Sequence, residues 1–313
     1  MLINDIQREV KKAIVGKDDM IKKVLMAILA QGHILLEDVP GVGKTTMALA
    51  FARTLGLDCK RIQFTSDTMP SDVLGFSVYD KESGGLIYKP GAVMTNLLLA
   101  DEINRTSSKT QAALLEAMEE GSVTIDGVTH PLPEPFMVIA TENPIGSAGT
   151  QLLPTSQLDR FLVKLSMGYP DRSSQIEIMR DRHHGNPLDT IIPQADIKSL
   201  NALISDVRNI YVADAAYAYI AELIERTRSH QFVQYGVSPR GALALCRAAK
   251  ANACLNGRDY VIPDDAAEVF PDVCCHRLIL NAKARLRDYS ELTIAEEILA
   301  DCKKPDIREF SLL

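Results

Sequence analysis

"HILLEDVPGVGKTTMALA", residues 33–50, decides how the chain folds. "HILLE" is a short, mostly apolar run ahead of a turn, the pattern of a parallel strand buried on both faces. "TTMALAFARTL" reads as a helix that Gly56 stops. Between them, Gly41 and Gly43 let the backbone turn its N–H groups inward, and the following helix presents its positive end. Lys44 can reach β- and γ-phosphates, and the Thr45 hydroxyl can ligate Mg2+. Asp38 stands where the general pattern G-x-x-x-x-G-K-[ST] has its first glycine. That position often asks for an unusual backbone angle, which aspartate tolerates better than most residues. A carboxylate beside phosphates is repulsive, so the Asp38 side chain is expected to point away from them.

Upstream, Ile6, Val10 and Ile14 have helical spacing, and a second helix fits residues 18–31. Downstream, "CKRIQF" (59–64) can be a strand. "SVYD" and "GLIYK" around "KESG" read as a β-hairpin. "NLLLADE" (96–102) is an apolar strand that ends in two carboxylates. "SSKTQAALLEAMEEG" reads as a helix with a capping box of Ser108 and Gln111 and a closing Gly121. Asp126–Gly127 sits between β-prone residues in "SVTIDGVTH" (122–130), a strong hairpin signal. "FMVIATEN" (136–143) and "RFLVKLSM" (160–167) are further apolar strands. This strand–helix rhythm predicts a parallel sheet covered on both faces.

Beyond "GYPDRSS" the pattern becomes helical almost throughout. "SPRGALALCRAAKANACLNG" has Ser238 as N-cap, Pro239 at its first position and Gly257 as C-cap. Pro271 separates "DDAAEVF" from "DVCCHRLIL", and "TIAEEILADC" carries a capping box of Thr293 and Glu296. The expected division is a nucleotide-binding core over 1–170, a linker over 171–195 and a helical domain over 196–313.

The chain has 313 residues, with 46% hydrophobic and 24% charged residues and a net charge of −7. That balance suits a large buried core and counts against general nucleic-acid binding. The six cysteines form no C-x-x-C pair, so reduced thiols are expected, and nothing near the vicinal pair Cys274–Cys275 supports a redox role. The N-terminus lacks the apolar core of a signal peptide, and no apolar run reaches the roughly 20 residues that span a bilayer. A soluble, cytoplasmic protein without a membrane span is expected.

The chemistry-bearing residues converge on one reaction. Asp101 and Glu102, at the C-terminal end of a parallel strand, face the crevice where ligands bind. Asp101 can hold Mg2+, usually through water, and Glu102 can orient and activate an attacking water. Asn143 ends another strand, where it can reach the γ-phosphate or the water, or simply end the strand before Pro144. Arg160 in "QLDRF" and Arg240 in "VSPRG" are candidates for the positive charge that phosphoryl transfer needs, with surface arginines the default for either one.

With "LLEDVPGVGKTT", "LLLADEINR", "VIATENP", "LPTSQLDRF" and "GVSPRGALAL" in this order, the chain resembles the AAA+ ATPases, and among them closely the MoxR family, over essentially its full length. The resemblance implies a five-stranded parallel αβα core with two β-hairpin insertions and an all-helical lid. It implies ATP and Mg2+ as ligands. Pro40, Gly41, Val42, Gly43, Lys44, Thr45 and Thr46 would hold phosphate, Thr45 and Asp101 the metal, and Val15 and Gly16 would border the adenine. Glu102 would be the base and Asn143 the residue that positions water. Arg240 would contact the γ-phosphate of its own subunit, and Arg160 would reach a neighbour's nucleotide, with Arg105 also near that interface. The family forms rings, usually hexamers, and is thought to remodel or mature protein partners with von Willebrand factor A domains. The hairpins would face the pore or the partner.

A DNA-remodelling motor is the competing reading, since related branches move on DNA through similar hairpins. The acidic balance and the tips "YDKESGG" and "IDGVTH" speak against it, so nucleic acid is not expected as a partner. A nucleotide-gated scaffold that barely hydrolyses is the third reading, and Glu102 and Asn143 argue against it.

Overall fold

Two strands, β5 (Leu97–Asp101) and β8 (Met137–Glu142), are buried along their whole length and form the middle of the first sheet. In the computed structural model, which describes residues 2–82, 84–143 and 153–305, the chain clusters into two units. The first comprises Met1–Lys23, His33–Leu153 and Leu165–Asn201, and the second Val24–Gly32, Pro154–Lys164 and Ala202–Leu313. Pro144 and residues 306–313, included in the expectations above, lie outside the described residues.

The first elements are α1 (Leu2–Lys11), α2 (Asp18–Leu29), β1 (Ile34–Glu37), α3 (Lys44–Thr54), β2 (Cys59–Gln63) and α4 (Pro70–Leu74). The hairpin β3 (Gly75–Asp80) and β4 (Gly85–Pro90) follows, then β5, α5 (Ser108–Glu120), the hairpin β6 (Ser122–Ile125) and β7 (Val128–Pro131), and β8. Next come α6 (Thr155–Leu158), β9 (Val163–Leu165) and α7 (Arg172–His184). The sheet is five-stranded and parallel, in the order β2-β5-β8-β1-β9. Parallel pairing puts the C-terminal ends of β1, β5 and β8 on one edge, so Glu37, Asp101 and Glu142 end side by side. Leu97, Leu98, Leu99, Val138 and Ile139 are wholly buried, and each such side chain contributes roughly 1.5–3 kcal/mol relative to exposure. Helix α3 lays Met47, Ala48, Phe51 and Ala52 into this core.

Both hairpins form as expected. Asp126 (φ 50°) and Gly127 (φ 80°) are both left-handed, as a two-residue type I′ turn requires. Tyr88 of β4 stacks on His130 of β7 with ring centroids 4.1 Å apart, fastening one hairpin to the other. Phe76, Tyr79 and Leu86 of the first hairpin remain exposed.

The second unit is helical. It contains α6, the part of α8 (Ile197–Arg208) from Ala202 onward, α9 (Asp214–Ser229), α10 (Pro239–Leu255), α11 (Pro263–Cys274), α12 (Ala282–Leu286) and α13 (Glu291–Asp301), plus the short pair β10 (Val233–Tyr235) and β11 (Ile279–Leu280). Arg277 is its polar hub. Its guanidinium is almost fully buried and donates to Asp159 Oδ1 (2.7 Å), Phe161 O (2.6 Å) and Leu162 O (3.2 Å).

Several local expectations need correction. The N-cap of α5 is Ser107, which is extended and accepts from Thr110 N. Gln111 is therefore one residue too deep for a capping box and instead donates to Ile103 O at 3.0 Å. Ser290, not Thr293, caps α13, because the chain enters the helix one turn earlier. Helix α10 caps on Asn256, with the left-handed Gly257 one residue beyond. Pro271 lies inside α11, three residues before its end, where it costs one helical hydrogen bond rather than ending the helix. "RFLVKLSM" yields only the three-residue β9.

The stretch 171–195 is not an extended linker. Asp171 caps α7 by accepting from Ser174 N at 2.7 Å, Arg53 pairs with Asp189 at 3.0 Å, and Ile192 N donates to Glu9 at 2.8 Å. These bonds fold the segment into the first unit, which continues to Asn201. Among the described residues, no helix is long and apolar enough to cross a membrane, and all six cysteines are free. Burial pushes the Cys275 thiol up to about 12 and Cys274 higher still, so both stay protonated.

Candidate active site

The loop 38–43 leaves β1 and enters α3 through Gly43, which is left-handed at φ 102°, as is Gly41 at φ 85°. A side chain at either position would strain the turn. The first N–H groups of α3 lack helical acceptors and collect at this end, where an anion can satisfy them. Lys44 Nζ is braced by two carbonyls, Asp38 O at 2.6 Å and Glu142 O at 3.1 Å. An ammonium has three hydrogens, so one is left for a ligand. Partial burial lowers the Lys44 pKa, while the carboxylates of Asp38, Asp101, Glu102 and Glu142 pull it back up.

Asp38 points away from the loop interior, as electrostatics predicts. Its Oδ2 accepts from Gly168 N at 2.6 Å and Ser166 Oγ at 3.1 Å, and its Oδ1 accepts from Val39 N at 2.9 Å. Its backbone is not among the residues with positive φ, so no unusual angle explains the aspartate. The residue acts as a strut between the loop and the segment 166–168.

Asp101 sits at the end of β5, almost wholly buried. Thr45 Oγ1 donates to its Oδ2 at 3.4 Å, and Thr141 Oγ1 donates to its Oδ1 at 3.3 Å. The neighbouring Glu102 has a left-handed backbone at φ 56°, and its N–H donates to the same Thr141 hydroxyl at 2.9 Å. The Glu102 carboxylate is turned by Gln63 Nε2 (3.0 Å) and Arg105 Nη1 (2.7 Å), both to Oε2. Asn143 follows directly on β8 and accepts from Asn104 Nδ2 through its carbonyl at 3.2 Å.

Thr45 and Asp101 thus present adjacent hard oxygens. Among the described residues no cluster of three or more His, Cys, Asp or Glu side chains could cage a metal. The Thr45 and Asp101 oxygens, 3.4 Å apart, fit the needs of Mg2+, which binds through one or two protein oxygens and otherwise through phosphate and water.

Beside the loop lies a cavity of about 380 Å³, lined by Val15, Pro40, Gly41, Val42, Gly43 and Thr46 on one side and by Tyr169, Pro170, Gln175 and Ile178 on the other. Gly16 is part of its frame: at φ +70°, a Cβ there would lie 1.9 Å from Ser174 Oγ, so only glycine lets α7 come this close. Lys17 Nζ donates to the carbonyls of Met167 and Tyr169, which fixes the opposite wall. The cavity is within the usual size of small-ligand pockets.

The two arginines belong to the second unit. Arg160 is half-buried just after α6, and Arg240 is exposed in the first turn of α10. Asp159 connects their segments. It accepts from Ser238 Oγ at 2.9 Å, and Ser238 in turn caps α10 by accepting from Gly241 N at 3.1 Å. The other Asp159 oxygen takes Arg277 Nε. His276 beside it is buried, and Arg277 Nη1 lies 2.8 Å from its Nε2, a donor that only a neutral imidazole accepts. Burial, then the Arg277 charge, push the His276 pKa well below its usual value.

Sequence reading missed Arg61, Gln63, Thr141, Asp159 and Arg277. Arg61 and Gln63 alternate along an edge strand paired with β5, a period-2 signal for two polar side chains beside Asp101.

Residues 33–163 match the ATPase family associated with various cellular activities (AAA), and residues 225–298 match the AAA lid domain. The chain is 47% identical over 304 residues to the uncharacterised protein YeaC of Bacillus subtilis, covering 97% of this chain and 95% of that one. It is 39% identical over 309 residues to the chaperone MoxR1 of Mycobacterium tuberculosis, covering 96% and 81%. A crystal structure of a protein from Cytophaga hutchinsonii, 39% identical, superimposes with a TM-score of 0.91 over 97% of this chain and 95% of that one.

Proposed function

Because this chain belongs to the MoxR family of AAA ATPases, we propose that it hydrolyses ATP and couples the reaction to the remodelling or maturation of a protein partner. One observation carries the reading: the loop lysine, the metal-side oxygens and the carboxylate base occupy one sheet edge, with Thr45 Oγ1 and Asp101 Oδ2 3.4 Å apart and Glu102 next in sequence. The loop Pro40–Thr46 holds the phosphates through backbone N–H groups and Lys44. Val15 and Gly16 border the base in the adjoining cavity. Thr45 and Asp101 hold Mg2+, which when bound neutralises developing phosphate charge. Glu102 accepts a proton from the attacking water, and Asn143 orients that water. The left-handed backbone of Glu102 is held by the bond of its N–H to Thr141 Oγ1, and its carboxylate is aimed by Gln63 and Arg105.

Arg240 reads the γ-phosphate of its own subunit, and Arg160 reaches the nucleotide of the next. A residue acting in trans requires an oligomer, so the working form is a homo-oligomeric ring, a hexamer by family expectation, in the cytoplasm. The 196–313 segment serves as the lid that moves with nucleotide state. The partner is a protein, with a von Willebrand factor A domain as the expected module. Exposed Phe76, Tyr79 and Leu86 on the first hairpin support a protein contact, since a phosphate backbone would call for Lys and Arg there. Phosphate release by the purified chain, with ATP and Mg2+ at low salt, tests the reading. Turnover that duplex or single-stranded DNA leaves unchanged is expected, and marked stimulation by DNA would overturn the protein-partner assignment.

A further inference from the structure

Asp101 carries a partner that holding Mg2+ does not require. Arg61 on β2 donates from Nε to Asp101 Oδ2 at 2.7 Å, the same oxygen to which Thr45 Oγ1 donates at 3.4 Å. The other oxygen, Oδ1, is turned to Thr141. Arg61 is anchored a second time through Nη2 to Gln63 Oε1 at 3.3 Å. The Asp101 side chain is 7% exposed and that of Arg61 53%, so the guanidinium closes the open side of a buried carboxylate.

A buried carboxylate without a counter-charge is costly, and its counter-charge here comes from this chain. A divalent cation at Thr45 and Asp101, whether bound to Oδ2 directly or through a water, would supply the same charge beside the same oxygen. Two cations on one carboxylate oxygen repel each other, and Mg2+ demands near-ideal oxygen geometry, so the two occupancies compete. We propose that Arg61 is a positioning residue that stands in for the divalent cation: it holds Asp101 Oδ2 beside Thr45 while the metal is away and leaves that oxygen when the metal arrives with nucleotide. The inference rests on the assignment of Asp101 as the metal-holding residue. Arg61 has somewhere to go, since β2 is an edge strand and the guanidinium is half in solvent.

The test is a Mg2+ titration of a fluorescent ADP bound to the full chain, with Mn2+ binding followed by electron paramagnetic resonance as a second readout. In Arg61→Gln the free Mg2+ needed for half-maximal response should fall about three- to fivefold, the size expected for a half-exposed ion pair. Affinity for the same ADP in EDTA should not change, which also reports that the variant folds. Arg61→Lys keeps a cation without the planar fork and should fall between, which keeps the test open if the glutamine variant fails to fold. An unchanged or raised Mg2+ requirement in the Arg61 variants overturns the inference. Asp101→Asn separates the two layers. If it leaves the Mg2+ requirement unchanged, the metal assignment itself falls. If it raises the requirement while the Arg61 variants do nothing, only the stand-in role falls.

Discussion

Replacing Asp38 by alanine removes a strut rather than a ligand contact. Asp38 is 8% exposed, and its carboxylate accepts three hydrogen bonds. The bond from Val39 is local, and water can replace it. The bonds from Gly168 N and Ser166 Oγ tie the loop to a segment about 130 residues away in sequence. Hydrogen bonds to a charged acceptor contribute roughly 1.5–3 kcal/mol each. Loss of these two, with Gly168 N left without its acceptor, should cost about 3–6 kcal/mol. Asp38→Gly, which restores the general pattern of phosphate loops, should cost about 1 kcal/mol more through backbone entropy. Asp38→Asn keeps an acceptor and should cost less than either. Because Asp38 O also braces Lys44, the loosened loop should bind ATP more weakly. Urea unfolding gives the stability, and hydrogen exchange places it: the Gly168 amide should lose protection while amides of the second unit do not. A stability loss below about 0.5 kcal/mol with Gly168 protection intact would refute the strut.

Two further predictions involve residues of the second unit, His276 and Arg160. His276 is neutral in the folded chain because burial and Arg277 hold its pKa well below 6.5, whereas the unfolded chain takes up the proton near 6.5. The unfolded state therefore binds more protons as pH falls, so the stabilisation is complete above about pH 6.5 and declines as acid is added towards the lowered folded value. Urea midpoints at about pH 8 and pH 5.5 should differ less in His276→Gln than in wild type, and equal differences would contradict the assignment. Arg160→Ala and Glu102→Gln, each nearly inactive alone, should recover ATPase activity when mixed. One interface type then pairs an intact Glu102 with an intact Arg160. No recovery at any mixing ratio would count against the trans role.

The glycine loop between β1 and α3, the carboxylate-bearing strand and both hairpins were legible because their signals are local: apolar runs, Gly-containing turns, and polar residues at strand ends. Cap positions slipped where two capping residues compete, as Ser107 does with Ser108 and Ser290 with Thr293, since the choice depends on where the chain turns in. The stretch 171–195 was expected as a linker between domains, and Glu9, Arg53 and Asp171 tie it down through contacts no local pattern encodes. Asp38 was legible in direction but not in role, because its partners Ser166 and Gly168 lie about 130 residues away in sequence. Arg61, Thr141 and Asp159 went unseen for the same reason: each matters through a strand or helix neighbour that only tertiary pairing supplies.

Glu102→Gln tests the central claim most directly. The amide keeps the size and the bond to Arg105 or Gln63 but cannot take a proton from water. Steady-state phosphate release should fall by about 10²- to 10⁴-fold, the usual worth of a general base, while ATP affinity stays within about twofold of wild type. Turnover unchanged by the substitution would contradict the site as described.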